Sequence, residues 1–283
     1  MILRVLCGYG LFATTKDREG EAHSLHGFSG KDSMPRKKLM AANWKMYKNP
    51  EQTRAFFHDF LPLVAGHTRD EIVVCPPYID LYVAIESCRG SSVAIGAQNL
   101  YWEKQGAYTG EICPAMLLDM GCTHAIIGHS ERRQYFGETD DMVNFKLKAA
   151  LEDGLVPIVC VGEVLEERQA NLTEDVLRRQ CLRAFHAISA KKAAKLVVAY
   201  EPVWAIGTGK TATPQLASAA HLLIRGEAAK AFGDDFASNL RILYGGSVKP
   251  ENVKALMAEE EIDGALVGGA SLDPKSFAAI VKY

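Results

Sequence analysis

Nothing in this sequence is in great excess, and several things are missing from it. Its seven cysteines (7, 75, 88, 113, 122, 160 and 181) contain no Cys-x-x-Cys spacing. An odd number without paired spacing argues against a disulfide framework or a zinc site and for a reducing compartment, so a cytoplasmic location is expected. Long apolar runs are also absent. Leu196–Tyr200 is among the longest, against the roughly 18–20 residues that span a bilayer, so no membrane partner is expected. Neither charge dominates, since 32 Lys and Arg against 34 Asp and Glu leave a net −2. That balance makes no broad positive field, which argues against nucleic acid or an anionic membrane as the main partner. What remains is 283 residues, 48% of them hydrophobic, the mix of a globular protein with one large α/β domain or two ordinary ones.

The chain reads as though it begins twice. Residues 1–13 (MILRVLCGYGLFA) are apolar with an early arginine, a pattern like that of a signal peptide. Two glycines break the run, however, and no small-x-small cleavage site follows. Residues 14–33 are polar, glycine-rich and aperiodic. Residues 1–33 are therefore expected to be a disordered or dispensable extension. No linker or charge block divides the chain after Met34, so residues 34–283 are expected to form a single domain.

Within that domain eight short apolar runs recur: Leu39–Ala42, Ile72–Cys75, Val93–Ala97, His124–Ile127, Val156–Val161, Leu196–Tyr200, Arg241–Tyr244 and Gly264–Val267. None alternates strictly, which is how parallel strands buried on both faces read. Helix-start chemistry lies between them. Asn49-Pro50, Thr213-Pro214 and Asp273-Pro274 each place a capping side chain ahead of a proline at the first helical position. Thr139-Asp-Asp and Thr173-Glu-Asp set a cap and acidic residues where the helix dipole favours them. Thr173–Lys195 carries Val176, Leu177, Leu182, Phe185 and Ile188 at near-helical spacing. Eight βα units over about 250 residues predict an α/β fold, a closed (β/α)8 barrel. A doubly wound open sheet would need a glycine-rich phosphate turn after its first strand, where this chain has Asn43-Trp44-Lys45.

Barrel chemistry sits at the carboxyl ends of strands. Asn43 and Lys45 follow the first strand, an amide and an ammonium that can both address an anionic oxygen, although both types are ordinary at turns and surfaces. His129 follows Gly128 after the fourth strand, at a helix start where backbone N–H groups and the dipole disfavour its protonation, with Ser130 as the expected cap. A neutral imidazole there can donate to a carbonyl oxygen and shuttle a proton. His124, inside the strand, reads as packing. Glu201 ends the sixth strand among apolar neighbours, which should raise its pKa and make it a usable base. Residues 202–212 then have a rigid Pro-Val-Trp end and a glycine-rich middle, which describes a lid or an ordinary βα loop. GTGKT lacks the spacing of a nucleotide phosphate loop. Gly245-Gly246-Ser247 and Gly268-Gly269 end the last two strands, where barrels build phosphate sites. Together these groups suit proton abstraction beside a carbonyl on a small phosphorylated substrate.

From Pro35 onward the sequence resembles the triosephosphate isomerase family. The resemblance is carried by AANWKM (41–46), GAQN (96–99), GAYTGEI (106–112), GHSERR (128–133), AYEPVWAIGTGKTATPQ (199–215), YGGSV (244–248) and LVGGASL (266–272). It implies a cofactor-free and metal-free enzyme interconverting dihydroxyacetone phosphate and glyceraldehyde 3-phosphate through an enediolate. It implies Glu201 as base, His129 as uncharged electrophile and proton shuttle, Lys45 as balancing charge and Asn43 as donor to the oxyanion. It implies a supporting carboxylate in Glu131, phosphate contacts at Gly207, Ser247, Gly268 and Gly269, and a lid latch in Tyr244 and Ser247. It also implies a homodimer joined through the loop around Thr109. Ala42 and Gln105 stand where glycine and asparagine are common in the family. The rival readings are another phosphosugar isomerase on a barrel, which wants a roomier pocket, and a non-catalytic binding protein on the same fold.

Overall fold

The computed structural model describes residues 36–206 and 211–283. The expected extension, residues 1–33, lies outside them, as does Gly207. Eight parallel strands close into a barrel in chain order: β1 (Leu39–Asn43), β2 (Glu71–Cys75), β3 (Val93–Ala97), β4 (His124–Ile127), β5 (Val156–Val161), β6 (Val197–Tyr200), β7 (Arg241–Tyr244) and β8 (Gly264–Val267). Closure is made by β1, which pairs with β2 on one side and β8 on the other. The helices in chain order are α1 (Pro50–Val64), α2 (Leu81–Cys88), α3 (Pro114–Met120), α4 (Ser130–Phe136), α5 (Asp140–Asp153) and α6 (Leu165–Gln169). After them come α7 (Thr173–Phe185), α8 (Pro214–Phe232), α9 (Asp234–Asn239), α10 (Val253–Met257) and α11 (Pro274–Val281). Among the described residues no helix is long and apolar enough to cross a membrane.

The absence of alternation in the strands has a simple cause, because both faces are buried. Leu39 and Ala41 point into the barrel with Val73, Ile126, Ile158, Ala199 and Leu243. Met40 and Ala42 point outward with Val74, Ile127 and Val198 into the larger layer beneath the helices. The floor of the lumen is ionic: Arg241 Nη1 lies 2.5 Å and His124 Nε2 3.3 Å from the two oxygens of Glu71. His124 thus packs as expected, with a charged partner as well.

The proline-linked caps are formed by Asn49, Thr213 and Asp273, and Thr139 caps α5. Thr173 does not cap: it is the first residue of α7, with Leu172 before it at the cap position. Leu182 is 68% exposed on that helix, while Val176, Leu177 and Phe185 are buried. Ser130 is likewise one position too late, since His129 occupies the cap of α4 and its side chain accepts from the Glu131 N–H.

Candidate active site

Side-chain parity carries Asn43 to the top of the lumen above Leu39 and Ala41. The next turn holds Lys45 in the left-handed region at φ +55°. Two neighbours secure it. Asn43 Oδ1 accepts the Lys45 N–H at 3.1 Å, and Gln98 Nε2 donates to the carbonyls of Lys45 and Cys75 at 2.8 and 2.9 Å. With its oxygen taken, the Asn43 amide has N–H to offer. The Lys45 ammonium stands 2.6 Å from Glu131 Oε1.

His129 is brought to the site by Gly128, whose φ of +73° turns the chain as β4 ends. A Cβ there would come within 2.8 Å of Val143 Cγ2, so glycine is required twice over. His129 Nδ1 accepts the Glu131 N–H at 3.2 Å, which makes it the unprotonated ring nitrogen. Nε2 then bears the hydrogen and points at Glu201 Oε1, 2.9 Å away.

Glu201 is buried, and its second oxygen accepts the Ser130 N–H at 2.8 Å. Burial raises its pKa, but His129, the Ser130 N–H and Lys45 together outweigh burial and hold it below the usual carboxylate value. The rise expected from apolar surroundings is therefore reversed in this arrangement. Burial also works against a charged His129, and the Glu201 carboxylate overcomes it, so the net shift of the imidazole is upward. The lowering expected of an imidazole at a helix start is therefore overturned too, because the Glu201 carboxylate beside the ring favours its charged form. The pair shares one hydrogen bond, and each partner's titration depends on the other.

The two glycine pairs do different things. A Cβ on Gly245 would meet Glu201 Cγ at 2.9 Å, and one on Gly246 would meet the Tyr244 hydroxyl at 2.2 Å. These two clear space for the carboxylate and the tyrosine ring. Gly269, by contrast, has open space around it. Asn43, Lys45, His129, Glu201, Ile206, Ser247, Gly268 and Gly269 all line one cavity of about 260 Å3. Glu131 and Tyr244 stand just outside it. The Tyr244 hydroxyl is buried beside the Ala212 backbone, just before the Thr213 cap of α8.

The triosephosphate isomerase family model matches residues 38–283. The triosephosphate isomerase of Solibacter usitatus (strain Ellin6076) is 56% identical over 248 residues, covering 88% of this chain and 100% of the relative. That of Carboxydothermus hydrogenoformans is 52% identical over 247 residues, covering 87% of this chain and 98% of the relative. That of Dictyoglomus turgidum is 51% identical over 247 residues, covering 87% and 99%.

The chain belongs to the triosephosphate isomerase family. It is an isomerase of that family, on the family's barrel. Two residues that support these side chains and the turns around them were not singled out from sequence. Gln98 supports the left-handed Lys45 backbone, and Glu163 anchors the residues that follow β6. Glu163 accepts from the Tyr200 hydroxyl at 3.0 and 3.1 Å and from Trp204 Nε1 at 2.9 Å, while its carbonyl accepts from Val203. The signal for both was available: Gln98 follows Ala97, the last residue of β3, and Glu163 follows Gly162, the first residue past β5.

Proposed function

We propose that this chain interconverts dihydroxyacetone phosphate and glyceraldehyde 3-phosphate without cofactor or metal, through the side chains named above. The observation that carries the reading is their convergence on one small cavity, lined by base, imidazole, ammonium and amide together with Gly268, Gly269 and Ser247. A cavity of about 260 Å3 accommodates a small phosphorylated substrate. The substrate carbonyl takes the His129 Nε2–H, and Glu201 leaves His129 and Ser130 to face the carbon acid. Losing those partners removes what lowers its pKa while burial persists, so the carboxylate gains basicity when it is needed. Asn43 N–H and the Lys45 ammonium then meet the charge that grows on the enediolate oxygen. Glu131 holds Lys45 in place. Ser247, Gly268, Gly269 and Gly207 hold the phosphate, and Tyr244 with Ser247 latches the lid, whose closure keeps water from an intermediate prone to lose phosphate.

The test is a coupled triose phosphate assay with chelator present. Turnover is expected, and Glu201→Asp, which draws the carboxylate back from the carbon, should lower kcat by about 10²-fold or more with little change in KM. No turnover, or full activity in the variant, overturns the reading.

The active form in this proposal is a homodimer joined through the Thr109 loop. A second cavity of about 280 Å3 supports it, sharing Asn43, Lys45, His129 and Glu131 with the site and bounded by Pro77, Arg132 and Phe136. Met46, 94% exposed, and Phe136, 68% exposed, are the apolar rim that a partner loop would cover. Thr109→Arg is expected to sediment as a monomer and to lose most activity, and a fully active dimer would refute the arrangement. We place the catalytic domain at residues 34–283, with 1–33 outside it, supported by a family match that begins at residue 38. Six described cysteines, all buried and free, support a reducing, cytoplasmic location.

A further inference from the structure

The loop between β1 and α1 holds two lysines in the left-handed region, Lys45 at φ +55° and Lys48 at φ +77°. Lys45 serves the site, but Lys48 does not reach it. A residue with a Cβ is unfavourable in that backbone, where glycine is at ease, so the side chain must compensate. The Lys48 Nζ lies 5.1 Å from the centroid of the Trp44 ring and 5.0 Å from that of Phe56, rings that meet edge to face at 4.7 Å. It also donates to the Leu272 carbonyl at 2.8 Å. Asp273 and Asp80 are the acidic groups facing it.

Leu272 closes the 3-10 turn Gly269–Ser271 that follows β8. The turn is bonded internally, Ser271 N–H to the Gly268 carbonyl at 2.8 Å and Leu272 N–H to that of Gly269 at 3.1 Å. Trp44 Nε1 donates to the Ser271 carbonyl at 3.2 Å. Trp44 and Lys48 thus grip consecutive carbonyls at one end of a turn whose other end, Gly268 to Ala270, lines the cavity. We infer that Lys48 is a positioning residue for the phosphate end of the substrate. It fixes the 268–272 turn through Leu272, and its charge at the carbonyl end orients the backbone dipoles so that an anion in the cavity meets N–H groups. The inference rests on the reading of Gly268 and Gly269 as phosphate contacts.

Lys48→Met keeps an apolar stem between the rings and removes the ammonium, while Lys48→Arg keeps a charged donor. Three quantities separate the possibilities: kinetics on glyceraldehyde 3-phosphate, kinetics on glyceraldehyde, and competitive inhibition by inorganic phosphate. In Lys48→Met, KM for the phosphorylated substrate and the phosphate inhibition constant should rise together, about five- to tenfold, the size of one ordinary hydrogen bond. Its kcat and its turnover of glyceraldehyde should stay within about twofold of the parent, as befits a loss of uniform binding. Lys48→Arg should restore both constants. An unchanged phosphate inhibition constant in Lys48→Met overturns the inference, as does an equal loss on both aldehydes, which marks a general structural role. If phosphate competes with substrate in the parent but not differently in the variant, the inference alone fails. If it does not compete in the parent either, the phosphate contacts fail and the inference with them. Should Lys48→Met not fold, Lys48→Gly relieves the left-handed backbone while removing the side chain, and it must show the same parallel rise.

Discussion

Burial and pairing pull Glu201 in opposite directions, and pairing wins while the carboxylate touches His129 and the Ser130 N–H. The contact joins the ends of β4 and β6, so no reading of either segment alone could give its sign. Sequence could place each residue, because a polar side chain that ends a buried strand stands out against its neighbours. It could not place one against the other. A prediction follows from the direction of the shift. His129→Gln removes the imidazole that depresses Glu201 while burial stays, so the carboxylate's pKa should rise. The acid limb of kcat/KM, which reports the free enzyme, should move to higher pH. The same variant should lose about 10²-fold or more in kcat through loss of the proton shuttle. An acid limb that stays where it was would show that the pairing does not govern the base.

At the scale of the element, the segment that follows β6 is held by a residue from another loop. Tyr200 and Trp204 both donate to the Glu163 carboxylate, and the Val203 N–H donates to its carbonyl. The rigid Pro-Val-Trp end was legible in the sequence, but its anchor was not, since Glu163 belongs to the β5–α6 turn. Helix starts show a similar boundary of legibility. A cap locked by a following proline could be read to the residue, as at Asn49, Thr213 and Asp273. Without the proline the start can slip by one position, as at Ser130 and Thr173. Glu163→Gln tests the anchor, because it removes the carboxylate charge behind both hydrogen bonds and turns an NH2 donor, in place of Oε2, toward the Tyr200 hydroxyl. We expect kcat to fall about tenfold, and more inorganic phosphate to appear per turnover, as a looser lid exposes the intermediate. Parent-like phosphate release in Glu163→Gln would separate this anchor from lid function.

The whole molecule was the most legible level, for a geometric reason. Strands covered by helices outside and filled by side chains inside lose the alternation of a half-exposed sheet, and eight such runs have few other ways to pack. What the runs concealed was a third layer, the ionic floor where β2, β4 and β7 begin. Arg241 reaches across the lumen to Glu71, which also meets His124. Those partners, His124 first, outweigh burial and hold the Glu71 carboxyl down at about 2. A carboxylate whose folded pKa lies below its unfolded value adds stability above the unfolded pKa and loses it as pH falls toward the folded one. Glu71 should therefore stabilise the barrel fully at pH 7 and progressively less from about pH 5 down to about pH 2, in all by on the order of 2 kcal/mol after solvent screening. Urea unfolding midpoints measured across that range should fall more steeply for the parent than for Glu71→Gln. The variant should start lower at pH 7, with Arg241 left unpaired, and the two curves should converge in acid. Curves that stay parallel would assign the acid sensitivity of the barrel to carboxylates elsewhere and leave the floor as packing.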